Sequence, residues 1–458
     1  MPLGKMNIIM FIVDALRPDH LSANGYARAT SPNMDRLAKE GTSFSNAYCP
    51  FPWTNSSILS AFTGVYPHNH GVRLVSNNKF NESVTTLPEI LKSHGFRNAY
   101  LDVDVLSEPA MKKGFQEFNP LRWKIENKIK RSIYKIFNPK NFLGLTEQHT
   151  GIAIRWIKKH SGDKFFLCHH PIDLHWPYWP PKPYDHMFDS GYKGSHDFNT
   201  LAGGKLARGD VLFGHVKFQK EEMEHAIAHY DGAIKYVDTQ IGRILDTLKE
   251  IGLEDETLVI LTSDHGENFG EHDFYFQHAA SLYEPSIRIP LIFKHPRLVP
   301  KGKIIKQRVQ NIDIMPTIMD MLNVPLIDRI DGISLLPLLK GETLKCREFI
   351  FAESLEEHFK GHKRIFFPGI KGKWRTMIIG DWKIIYIPHP QNDIFELYNL
   401  KDDPDEKNNL ISKEKEIASE MKKRILEFLK QQSNEGDADL SSMDDKSKKL
   451  LRELGYME

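Results

Sequence analysis

Two runs of almost unbroken apolar residues stand far apart in the chain, and each ends in a carboxylate. Met6 to Val13 is followed by Asp14, and Thr257 to Leu261 by Thr262-Ser-Asp-His-Gly-Glu267. Short apolar runs without polar alternation are the pattern of strands buried on both faces. Phe165 to Cys168 is a third such run, and Asn98 to Val105 a fourth. Helical patterns lie between them. Ser31 to Lys39 carries Pro32 near its start, Thr86 to Gly95 closes on a glycine, and Glu221 to Glu250 is a long amphipathic stretch that stops before Gly252. Strands alternating with helices predict an α/β fold.

Beyond residue 345 the pattern changes. Trp374 to Tyr386 reads as a hairpin, Ile394 to Tyr398 as a further strand and Lys413 to Gln431 as a helix. A large domain over 1–345 and a small α+β subdomain over 346–432 are expected, with a polar tail over 433–458. Ile125, Ile129, Ile133 and Phe137 recur every four residues among lysines and arginines of the segment 122–137. That segment reads first as a surface helix with a solvated basic face. Peripheral contact with an anionic membrane surface is the alternative.

The chain has 458 residues, a net charge of +1 and three cysteines, at 49, 168 and 346. Its length suits a large core. Its charge gives no global field toward nucleic acid. The cysteines have neither disulfide nor metal-ligand spacing, so a reducing, cytoplasmic setting is expected. The first apolar run is too short to span a membrane.

The chemistry gathers at the ends of the apolar runs. In open α/β sheets, ligands bind beyond the carboxyl ends of the strands. Asp14 and the adjacent Asp264 and His265 would meet there. Two carboxylates at one sheet edge repel unless a cation neutralises them. Mixed oxygen and nitrogen donors point to a divalent ion. His169 and His170 read as caps of a strand end.

Several segments carry a wider likeness. They are Ile12-Val-Asp-Ala-Leu-Arg-Pro-Asp-His20, the stretch Pro52 to Gly71, Tyr230-Asp-Gly-Ala-Ile-Lys-Tyr-Val-Asp238, Leu282 to Leu291, Asp313-Ile-Met-Pro-Thr317, Asp331 to Pro337 and Glu396 to Pro404. In this order they resemble the sulfatase family of the alkaline phosphatase superfamily. The resemblance implies a large mixed-sheet domain flanked by helices, then a smaller sheet domain. It implies Asp14, Asp264 and His265 as ligands of one divalent cation, Ca²⁺, Mg²⁺, Mn²⁺ or Zn²⁺. Thr54 falls where sulfatases carry the Cys or Ser that becomes formylglycine, and is taken as the nucleophile. His175 and His278 are taken as catalytic, His70 and Gln277 as substrate-binding. A second ion through Asp173, His175 or His278 is the less favoured alternative.

The departures bear on the reaction. Threonine cannot mature to formylglycine. The family's supporting arginine is Ile58, its second early aspartate is Ala15, and its substrate lysine is Gln277. Cys49 lies five residues before Thr54 and is taken as a buried thiol. The expected activity is metal-dependent hydrolysis of a sulfate or phosphate ester, with a phosphodiester-like centre favoured. Transfer of a phospho-head group to a glycan or lipid acceptor, and anion binding without catalysis, are the competing readings. The expected partner is a small anionic ester, glycan or lipid, not nucleic acid.

Overall fold

A computed structural model describes residues 6–73, 79–101, 108–118, 145–189, 191–193, 218–326, 330–342, 347–355, 373–389 and 391–432. The segment 122–137, the boundary near 345 and the tail 433–458 lie outside the described residues.

Eight strands form the main sheet: β1 (Asn7–Ile12), β2 (Thr42–Tyr48), β3 (Arg97–Leu101), β4 (Glu117–Phe118), β5 (Phe165–His169), β6 (Thr257–Thr262), β7 (Arg288–Lys294) and β8 (Lys303–Gln310). Their order is β4-β3-β5-β1-β6-β7-β2-β8. Every pairing is parallel except those of β7, so β7 alone runs backwards and the sheet is mixed. β1 and β6 pair from Asn7↔Thr257 to Ile12↔Thr262 and therefore end side by side. β5 flanks β1 on the other side, with Phe11 opposite His169.

All positions of β1, β5 and β6 are buried. Successive strand residues face opposite sides, so these strands feed two cores. Ile8, Met10, Ile12, Phe166 and Ile260 face one, against Ile58, Leu59 and Phe62 of the helix Thr54–Thr63. Ile9, Phe11, Val13, Leu167 and Leu261 face the other, against Ile234, Val237, Ile241 and Ile244 of the helix Lys220–Glu250. The result is three layers, helix, sheet, helix. Two acidic groups of the long helix are architectural. Asp231 accepts from Tyr26 and Arg28, each at 2.7 Å, and sits 2.8 Å from His20. Asp238 accepts the backbone N–H of Asn33 and Met34, both at 2.9 Å, and so caps the helix Pro32–Glu40 from another element.

The second sheet contains β9 (Ile350–Glu353), β10 (Arg375–Ile379), β11 (Trp382–Ile387) and β12 (Ile394–Asn399), in the antiparallel order β12-β11-β10-β9. Phe351, Met377, Ile384 and Leu397 pack on Ala418, Met421 and Ile425 of the helix Lys415–Gln432. The alternate residues Ile350, Ala352, Ile378 and Ile385 join the core of the main sheet. A buried ion cluster fastens the junction. Lys383 of β11 lies 2.7 Å from Glu406 and 3.1 Å from Glu284.

Within the described residues, the expected strands and helices are present to within a residue or two, apart from Asn98 to Val105. There the strand is β3, ending at Leu101, and 102–107 lie outside the described residues. β2, β7, β8 and the helix Thr54–Thr63 are additions to the sequence reading. Cys49 and Cys168 are buried free thiols. Among the described residues, no helix is long and apolar enough to cross a membrane.

Candidate active site

Three adjacent strands, β5, β1 and β6, deliver polar side chains to one edge. Asp14 lies two residues past β1, Asp264 and His265 just past β6, and His170 just past β5. All four are buried. His265 Nε2 is 3.3 Å from Asp264 Oδ2, 3.7 Å from Asp14 Oδ1 and 3.5 Å from Thr54 Oγ1.

Backbone geometry sets each of these atoms. Asp264 Oδ1 accepts from the N–H of His265 at 2.9 Å and of Ala15 at 3.2 Å, which aims Oδ2 at the cluster. Ala15 adopts a left-handed conformation at φ 57°, at a cost of roughly 1 kcal/mol or more for a residue with a Cβ. That turn is held by Tyr230, whose hydroxyl donates to the Ala15 carbonyl at 2.7 Å. His265 Nδ1 donates to the Gly266 carbonyl at 2.8 Å, so Nε2 carries the lone pair of the neutral ring. Burial holds the pKa of His265 below the usual histidine value, although Asp264 pulls the other way. Gly266 itself packs bare backbone on the next turn. A Cβ there would collide with the Pro285 carbonyl oxygen.

Thr54 opens the helix Thr54–Thr63. Between Ala47 and Pro67 it is the one residue not buried. Its hydroxyl therefore stands at a helix N-terminus, where backbone N–H groups and the helix dipole favour an anion. Ser57, one turn on, donates to the Asp264 carbonyl at 2.5 Å, and Asn311 donates to Ser57 Oγ at 2.8 Å. The helix start is thus tied directly to the end of β6.

A file of imidazoles runs outward from the cluster. His278 stacks on His265 with centroids 3.7 Å apart, and His175 meets His278 edge-on at 5.3 Å. The buried Glu267 carboxylate lies 3.6 Å from His278 Nδ1. His175 Nδ1 donates to the Trp176 carbonyl at 2.7 Å, which makes Nε2 its basic nitrogen.

The structure thus brings Asp14, Thr54, His175, Asp264, His265 and His278 together. Gln277 is 6 % exposed and is joined through its carbonyl to Asn268. His70 is placed differently from the substrate-binding position expected. It is fully buried, with Nε2 at 3.1 Å from Ser60 Oγ and Nδ1 accepting from the Val72 N–H at 3.1 Å. Both ring nitrogens are engaged inside the fold, so His70 props the back of the helix Thr54–Thr63. Asp173 accepts from Thr146 instead of joining the cluster. Ile58 is core. The Cys49 thiol is buried and its pKa is pushed up by burial and by Asp264, which makes it inert.

Two neighbours of the cluster were not among the expected site residues. His170 Nε2 is 3.7 Å from Asp14 Oδ2, while its Nδ1 is 2.9 Å from the Tyr100 hydroxyl. It lies against Asp14 as well as ending a strand. Glu267 was visible only as the last letter of a motif.

The residues fit a divalent ion. One ligand atom each from Asp14, Asp264 and His265 lies within 4.8 Å of the others. Separations near 3.3–3.7 Å match the edges of a coordination shell with bonds of about 2.0–2.5 Å. Asp264 Oδ2 is buried with no hydrogen bond, a costly arrangement for a carboxylate without a cation.

Comparison with known proteins agrees with this geometry. The model of the family described as sulfatase matches residues 6–324. The chain belongs to the sulfatase family. A second model, N-sulphoglucosamine sulphohydrolase, C-terminal, matches residues 270–432. An arylsulfatase of Clostridium perfringens is 26 % identical over 465 residues, covering 92 % of each chain. An N-acetylglucosamine-6-O-sulfatase of Bacteroides thetaiotaomicron is 26 % identical, covering 95 % of this chain and 88 % of its own. Among solved structures, a phosphonate monoester hydrolase of Agrobacterium radiobacter superposes with a TM-score of 0.74 at 22 % identity, over 93 % of this chain and 96 % of its own. The chain is a sulfatase-family hydrolase with the mixed-sheet fold of those relatives.

Proposed function

We propose that this sulfatase-family enzyme is a metal-dependent hydrolase that uses the Thr54 hydroxyl as its nucleophile. The observation that carries the reading is the position of Thr54 Oγ1, at a helix N-terminus and 3.5 Å from His265 Nε2. A divalent ion held by Asp14, Asp264 and His265 would favour the alkoxide of Thr54 and offset the two buried carboxylates. Thr54 attacks the ester, and the N–H groups of the first helical turn receive the non-bridging oxygens. His175 and His278 stand where they can protonate the leaving oxygen. A phosphorylated threonine can be released by water. A sulfated threonine lacks the release route that a formylglycine hydrate provides.

Charge narrows the substrate. The sulfatase arginine is the core residue Ile58, and the sulfatase lysine is Gln277. Arg17 is already bound by Asp19 and Glu271, each at 2.6 Å. A site with fewer cations favours a singly charged reacting centre over a dianion. We therefore favour a phosphodiester or phosphonate monoester on an anionic glycan, since structures of relatives hold a glucosamine disulfate or a neocarrahexaose. That phosphonate monoester hydrolases share the fold supports such a centre. The test compares kcat/KM on matched aryl sulfate, phosphate monoester, phosphodiester and phosphonate monoester, with Mg²⁺, Ca²⁺, Mn²⁺ and Zn²⁺ in turn. The diester and phosphonate are expected to lead. Highest efficiency on the sulfate would refute the preference, and full activity after removal of divalent ions would refute the metal.

A further inference from the structure

A second cluster of ligand-type side chains lies apart from those around Thr54, on the helix Lys220–Glu250. His225 and His229 are four residues apart and so share one face of that helix. Their ring centroids are 4.6 Å apart. Asp189 reaches them from a neighbouring loop, with Oδ2 at 3.2 Å from His225 Nδ1. One ligand atom from each of the three residues lies within 4.8 Å of the other two. His225 and His229 are 9 % and 3 % exposed, and the Asp189 side chain 8 %.

The loop is built to deliver that carboxylate. A Cβ at Gly232 would collide with the Tyr184 carbonyl oxygen, so the turn Tyr184–His186 seats on bare helix backbone. Asp189 Oδ1 accepts from the N–H groups of Gly191 and Tyr192, at 3.2 and 3.3 Å. That leaves Oδ2 as the atom turned to the histidines. The same division of labour is seen in Asp264, whose Oδ1 is bound by backbone amides while Oδ2 faces the cluster.

A hydrogen-bonded Asp–His pair accounts for Asp189 and His225 but leaves His229 unexplained. His229 is almost wholly buried, and neither ring nitrogen makes a hydrogen bond of ordinary geometry. Its pKa is lowered, first by burial and then by His225, although the Tyr178 backbone acts in the other direction. A neutral imidazole with an available lone pair results. A buried polar group of this kind is costly unless something binds it. Two imidazoles four residues apart on a helix, joined by one carboxylate, form the donor set of zinc. Calcium and magnesium prefer oxygen.

We propose that Asp189, His225 and His229 bind a zinc ion that clips the segment Tyr184–Asp189 to the long helix. His186, 73 % exposed with Nδ1 at 4.0 Å from Asp189 Oδ2, stands at the open side, where water or this ring completes the shell. The clip bears on the active edge through the next residue. Tyr230 follows His229, supports the Ala15 turn, and packs on Tyr178 at 5.4 Å. Its role is to position this loop, and it does not depend on the activity proposed for Thr54.

The test counts zinc in chains stripped of metal and dialysed against Zn²⁺ alone. Asp264→Asn removes a ligand of the other cluster, so that chain should retain one ion. Asp264→Asn/His225→Ala/His229→Ala should retain none. Loss of all zinc in Asp264→Asn, or its retention in the triple variant, overturns the proposal. A measurement on the unaltered chain guards against misfolding of the variants. Crystals soaked in Zn²⁺ should show anomalous scattering at the zinc edge between Asp189, His225 and His229, and absence of that peak refutes the site.

Discussion

At the scale of single residues, the site rests on few atoms with fixed orientation. Thr54→Ala removes the hydroxyl proposed as the nucleophile while keeping the helix. Its kcat should fall by roughly 10³-fold or more, as for loss of the attacking group in other hydrolases. Thr54→Ser keeps the oxygen and loses the methyl group that restricts χ1, so it should retain measurable turnover. Equal activity of the alanine variant and the unaltered chain would remove Thr54 from the reaction. Glu267 has a different role. Its carboxylate is buried 3.6 Å from His278 Nδ1 and is expected to orient that ring. Glu267→Gln should lower kcat by about 10–100-fold, the usual cost of losing an orienting group, with KM changed far less. A rise in KM at constant kcat would show that Glu267 serves binding instead. Asp14, Asp264 and His265 were legible in the sequence because apolar runs announce where a strand stops. His70 was not placed correctly, because spacing along the chain does not reveal which way a ring turns. His170 was half read: its place at a strand end was visible, but its contact with Asp14 is set by the neighbouring strand.

At the scale of elements, legibility followed burial. β1, β5 and β6 are buried on both faces and appear as plain apolar runs. β2, Thr42-Ser-Phe-Ser-Asn-Ala-Tyr48, keeps one face half-open and mixes in small polar residues. β8 closes the edge of the sheet with lysines and an arginine, which disguise it and also discourage edge pairing. The helix Thr54–Thr63 has nine buried residues out of ten, so no polar face marks its period. Its hold on β6 through Ser57 gives a direct test. Ser57→Ala removes the bond to the Asp264 carbonyl and one of the two acceptors of Asn311, whose side chain keeps the Ser57 carbonyl at 3.1 Å. Stability should fall by about 1–3 kcal/mol, as for a buried hydrogen-bonded group left without its partner. Activity of the folded fraction should also drop, because the helix start is no longer tied to Asp264. Loss of stability with unchanged kcat would separate the helix from the reaction.

At the scale of the whole molecule, the buried histidines tie stability to pH. Burial pushes His70 and His169 down to about 3. An unfolded histidine titrates near 6.5. Below that pH the unfolded chain takes up protons that the folded chain refuses, so stability is complete above pH 6.5 and declines as pH falls toward 3. Each such histidine costs about 1.4 kcal/mol per pH unit in that window. Asp173 and Asp238, raised by burial to about 6, act in the opposite sense over the same window, so the histidine part is read as a difference: between pH 6.5 and 5 the urea midpoint of His169→Leu should change less toward instability than that of the unaltered chain. An identical slope in the variant would contradict the assignment. The pairing of β1 with β6 has a consequence for synthesis. The candidate ligands sit at positions 14, 264 and 265, and the ring stacked on His265 is His278. A growing chain thus displays Asp14 and Thr54 long before their partners exist, and contacts so distant in sequence form slowly. A ribosome-bound fragment ending before β6 cannot assemble the cluster. Catalytic competence should arrive late and abruptly, and the exposed strand edges of the early fragment make chaperone contact most useful in that interval.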